Sequence, residues 1–104
     1  MTVVSLTEAA RDLVARIQAD QGAVVLVQNT GCVCGDAPQC FPLASFRPST
    51  TDYAIPTGIE GLTLWRSRKL DANGPPDTIL IDAENGRRGG FALENLFDRL
   101  FRIG

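Results

Sequence analysis

Histidine is missing from this 104-residue chain, and with it the usual base for a catalytic cysteine. Cysteine-protease chemistry is thereby set aside. Long apolar runs are missing too. The longest, Ala23 to Val27, falls well short of the ~20 residues that span a bilayer as a helix. No basic start followed by an apolar stretch opens the chain, so no secretory signal is expected. The expected location is the cytoplasm, where thiols are kept reduced. Positive charge is not in excess: the formal net charge is −2, which argues against nucleic acid or an anionic membrane as partner. Trp65 is the single tryptophan, and Arg66, Arg68 and Lys69 beside it have no further aromatic platform among them. They read as an exposed strand end, not a nucleic-acid patch. Repeats and linkers are also lacking, so residues 1–104 are expected to form one domain.

What is present is thiol. Three cysteines, Cys32, Cys34 and Cys40, crowd the stretch Asn29-Thr30-Gly31-Cys32-Val33-Cys34-Gly35-Asp36-Ala37-Pro38-Gln39-Cys40-Phe41-Pro42. Clustered thiols on a turn-rich loop mean soft-metal ligation, thiol redox chemistry or a local disulfide. Free cysteines are often small buried hydrophobes, yet Gly, Asp, Pro and Gln between these make a poor core segment. A zinc or iron–sulfur site needs about four donors, and Cys32, Cys34 and Cys40 supply three. The fourth could be Asp36, Glu94, water, or a thiolate from a second copy of the chain. The spacing matches neither a paired C-x-x-C zinc ribbon nor the common ferredoxin runs.

Periodicity sets the elements around that loop. From Thr7 to about Gln21, Ala9, Ala10, Leu13, Val14 and Ile17 make one apolar stripe with Leu6, a helical pattern ended by Gly22. Ser5 and Glu8 have capping-box spacing, with Thr7 as a rival cap. Val3-Val4 is a short strand or an extended lead-in. Ala23 to Gln28 reads as a strand buried on both faces. Leu43–Arg47, Tyr53–Ile55, Leu62–Arg66 and Thr78–Ala83 are candidate strands. Asn85 to Gly90 reads as a hairpin turn, with Gly90 to Glu94 beginning the return strand. Leu96 to Ile103 fits either period and is taken as a strand or short final turn. The expected fold class is α+β, a compact β-rich domain with one long N-terminal amphipathic helix.

Other features carry less chemistry. Gly86-Arg87-Arg88-Gly89-Gly90-Phe91 could form an anion nest, but a hairpin turn with solvated arginines explains it as well. Asp82 and Glu84 share a strand face, usually a solvated one. Trp65 is expected as a core or interface anchor. The apolar tail with Phe97, Phe101 and Ile103 either packs inward or contacts another subunit as a homodimer.

Two strings, Gly31 to Pro42 and Gly86 to Glu94, resemble a small bacterial family, domain of unknown function 779. Its pattern is Gly-Cys-Cys-Asp-Gly, then Pro-x-Cys-[Phe/Tyr]-Pro, Phe-Arg, Ile-Asp, and Gly-Arg-Gly-Gly-Gly-Phe-Ser-Leu-Glu. Gly31-Cys32, Pro38-Gln39-Cys40-Phe41-Pro42, Phe46-Arg47, Ile81-Asp82 and Gly86 to Glu94 correspond. The family's adjacent cysteine pair becomes Cys32-Val33 here, with the displaced thiol at Cys34. Members often lie beside aldehyde dehydrogenase genes, so the resemblance implies an aldehyde or alcohol dehydrogenase partner. A weaker likeness, in element order, is to the A-type iron–sulfur carriers (HesB-like), whose closing Cys-Gly-Cys this chain lacks. The resulting expectation is a non-catalytic accessory protein binding a metal ion (Zn or Fe) or an iron–sulfur cluster through Cys32, Cys34 and Cys40. A thiol-redox or aldehyde-reactive protein, and an interaction module with structural cysteines, remain the rivals.

Overall fold

The computed structural model describes residues 2–28, 37–71, 73–86 and 92–103. Strand β1 (Val3–Leu6) leads into helix α1 (Glu8–Gln21). Thr7 is the cap: its hydroxyl oxygen accepts from the Ala10 N–H at 3.2 Å and donates to Asp82 Oδ1 at 2.7 Å. Ser5, the other candidate, is held in the β1 ladder opposite Leu80 and cannot take the role. At the far end Gly22, with φ 80°, donates its N–H to the Gln18 carbonyl at 2.9 Å. That left-handed φ is one glycine adopts without steric cost. The helix buries Ala10, Leu13, Val14 and Ile17, as the stripe predicts.

The strands form two sheets. In the first, β1, β6 (Thr78–Asn85) and β7 (Arg99–Ile103) lie in the order β1-β6-β7, with β1 parallel and β7 antiparallel to β6. In the second the order is β3-β2-β5-β4, comprising β2 (Val24–Gln28), β3 (Gln39–Pro42), β4 (Asp52–Pro56) and β5 (Thr63–Ser67). β2 and β5 are parallel at its centre, and β3 and β4 flank them antiparallel. Every residue of β2 is buried. One core gathers side chains from the helix and both sheets, among them Ile17, Leu26, Cys40, Leu64, Ile81 and Phe101.

Two strand expectations need correction. Leu43–Ser45 is a 3₁₀ turn and the chain is irregular from Phe46. The Leu43 N–H still reaches the Ala23 carbonyl at 3.1 Å, but β2 begins at Val24, so no ladder remains beyond that point. Likewise Leu93–Phe97 is a 3₁₀ helix, not part of the return strand. Asp98, at φ 53°, turns the chain, and β7 then returns along β6. The tail therefore is a strand, and Phe101 within it is fully buried. Gly86 closes the pair by donating to the Asp98 carbonyl at 2.9 Å. A Cβ at Gly86 would lie 3.1 Å from Leu100 Cδ2. The expected turn residues 87–90 lie outside the described residues. Among the described residues no helix is long and apolar enough to cross a membrane.

Candidate functional site

Of the three predicted thiols, Cys40 is described; Cys32 and Cys34 lie outside the described residues, as does Asp36. β2 and β3 are neighbours in the sheet, with Val27 opposite Gln39. The ladder thus fixes both ends of the segment that carries Cys32 and Cys34. Cys40 faces the core from β3, opposite Leu26, with no exposed surface. Burial pushes its thiol far above the ordinary range, and the Glu94 carboxylate pushes it further. A raised thiol pKa of this origin disfavours the thiolate in the absence of a metal ion.

Glu94 is the second element of the site. It lies on the 3₁₀ helix 93–97, is 2% exposed, and its Oε1 accepts the Cys40 backbone N–H at 3.0 Å. A buried carboxylate accepting a main-chain N–H is a strong, charge-assisted contact. It joins residues 54 apart in sequence, one from each of the two strings singled out above. The contact therefore joins Cys40 of the cysteine string to Glu94 of the glycine-arginine string. Among the described residues no group of three Cys, Asp or Glu side chains is placed to hold a metal ion.

A polar network at the adjoining end of the second sheet escaped the sequence argument. Arg66, expected exposed, is 8% exposed. Its Nε donates to Asp71 Oδ1 at 2.8 Å and its Nη1 donates to Gln28 Oε1 at 3.0 Å. Tyr53 donates its hydroxyl to Asp71 Oδ2 at 2.6 Å, and the Arg68 guanidinium stacks 4.7 Å over the Tyr53 ring. Burial alone would raise the Asp71 carboxyl. The hydrogen bonds from Tyr53 and Arg66, with the charges of Arg66 and Arg68, outweigh it and hold Asp71 below the usual carboxylate range. Burial and then the bond to Asp71 raise the Tyr53 phenol. The signal was in the alternation: Leu62, Leu64 and Arg66 share a face, and the first two are plainly core residues.

Asp82 and Glu84 do share a strand face, as expected, and Arg102 bridges them at 3.1 and 3.4 Å. Asp82 is held below the usual range, first by the Thr7 hydroxyl and then by the Ala83 N–H. These are structural roles. Trp65 is half-buried with its ring centroid 5.7 Å from that of Phe46. The Gly86–Phe91 string is described only at Gly86.

Comparison with known proteins accords with these features. The model of the family "Domain of unknown function (DUF779)" matches residues 13–104, and the chain belongs to that family. No curated protein matches it in sequence. A solved structure, described as the crystal structure of IscA with the [2Fe-2S] cluster, is similar in fold. Its TM-score is 0.51 at 20% identity, covering 98% of this chain and 84% of that chain.

Proposed function

We propose that this member of the family is a non-catalytic accessory protein that holds a metal ion or an iron–sulfur cluster on the segment bearing Cys32 and Cys34. The observation that supports it is the Glu94–Cys40 contact, which links one residue from each of the two distinctive strings of the sequence. The shared fold with IscA, whose described structure contains a [2Fe-2S] cluster, supports the iron–sulfur form over zinc.

The donor set decides how such a group would be held. Cys40, enclosed on β3, is proposed to act as a core residue and not as a ligand. Cys32 and Cys34 are soft donors of the right chemistry. Two thiolates do not complete a site needing about four. Two from each of two copies do, so the loaded form is proposed to be a homodimer. The recipient is proposed to be a partner enzyme. The aldehyde or alcohol dehydrogenase association rests on the family resemblance alone.

Elemental analysis and a UV–visible spectrum of protein prepared without oxygen test this directly. A shared two-iron cluster predicts about one iron per chain with sulfur-to-iron bands, and a shared zinc about one-half per chain. Cys32→Ser or Cys34→Ser should abolish loading, whereas Cys40→Ala should retain it. Metal-free wild-type protein with a blank spectrum would overturn the proposal.

A further inference from the structure

We propose that the hollow beneath Arg66 and Gln28, between the two sheets, is a binding site for a short-chain monocarboxylate. The cavity has a volume of about 130 Å³ and is lined by Gln28, Arg66, Pro76, Thr78, Ile79 and Ile103. Its floor is buried: Gln28 at 0%, Ile79 at 4% and Arg66 at 8% exposure. Its rim is open, with Thr78 exposed and Pro76 and Ile103 half-buried.

The guanidinium sets the ligand class. Arginine carries five N–H donors in a planar fork suited to carboxylate. Nε is committed to Asp71 and Nη1 to Gln28. Nη2 has no hydrogen-bond partner among the described residues. No buried side-chain nitrogen or oxygen there lacks a partner, so Nη2 keeps accessible surface, and Arg66 is one of the residues lining the cavity. An anion oxygen at Nη2 makes a charge-assisted hydrogen bond away from bulk water. Asp71 already balances the single charge of Arg66, so a monocarboxylate leaves one uncompensated charge in the partly apolar cavity and a dianion such as phosphate leaves two, at greater cost. Pro76, Ile79 and Ile103 instead present hydrocarbon to a short alkyl tail. The room, equal to about four water molecules at liquid density, suits a propionate-sized acid.

NMR on the full chain tests the assignment, following the Arg66 Nε–H and Gln28 side-chain amide resonances. Propionate should shift both saturably, with a millimolar midpoint typical of so small a ligand; sodium chloride at equal ionic strength should not. Phosphate should bind at least ~10-fold more weakly, a step of about one decade in affinity. An acetylated tripeptide with a free C-terminus separates a free acid from a peptide terminus, and it should also bind more weakly than propionate. Arg66→Lys should abolish the shift of the Gln28 side-chain amide. Thr78→Phe, at the exposed rim, should weaken binding ~10-fold while leaving the buried network intact. It decides the matter if Arg66→Lys does not fold. Equal shifts with chloride, undiminished binding in Thr78→Phe, or tighter binding of phosphate or the peptide would overturn the proposal.

Discussion

Cys40 separates the two roles that cysteine can have in one loop. Its place in the core, opposite Leu26, makes it a packing residue whose thiol is shielded from solvent. Native protein should resist alkylation at Cys40 and react fully in denaturant, as mass spectrometry of iodoacetamide-treated samples would record. Rapid native labelling would mean the strand opens readily. Cys40→Ser should cost about 1–3 kcal/mol by burying a hydroxyl among hydrocarbon, more than Cys40→Ala, as urea denaturation would register. Composition marked Cys40 as one of a cluster because it shares a short stretch with Cys32 and Cys34. It could not say that β3 begins at Gln39 and turns this thiol inward. Glu94 was legible as a candidate donor, but its contact with Cys40 spans 54 residues of sequence and leaves no local trace.

Among the elements, α1 and β2 were the most legible, because a long apolar stripe and an unbroken β-branched run each admit one period. The helix start shows how tertiary contact chooses between equal local signals. Ser5 and Thr7 both have capping chemistry, and pairing of β1 with β6 removes Ser5. Thr7→Ala should therefore destabilise the fold by about 1–2 kcal/mol, with loss of the cap and of the bond to Asp82. Ser5→Ala should change little in the same thermal denaturation experiment. Equal effects would refute this assignment. β3 was missed because four residues ending in proline give too little pattern. The segment from Leu93 to Phe97 was misassigned because Gly90 to Glu94 alternates like a strand, while the turn that forms β7 depends on Asp98 adopting φ 53°.

For the molecule as a whole, the Arg66–Asp71–Tyr53–Gln28 network ties β2, β4 and β5 to the chain following β5. Because Asp71 and Asp82 titrate below the ordinary value of about 3.9, their stabilisation is fully present above that pH. It is lost as pH falls through their lower folded values. Urea midpoints should hold from neutrality to about pH 4 and then drop. Asp71→Asn should lower the neutral-pH stability by about 3 kcal/mol, since it leaves Arg66 buried without its counter-ion, and should soften the acid decline. An unchanged acid profile in Asp71→Asn would exclude Asp71 as its source. The α+β class was legible from one helix among many short strands. The division into two sheets was not, because parallel pairing of β2 with β5 and of β1 with β6 has no signature within either strand.

That long-range pairing bears on how the chain is made. Val3 finds its ladder partner only at Thr78, so β1 has no sheet to join until most of the polypeptide has left the ribosome. Meanwhile the greasy side of α1 and the apolar residues Val24 to Val27 of β2 stand uncovered, in the kind of non-local topology that folds slowly.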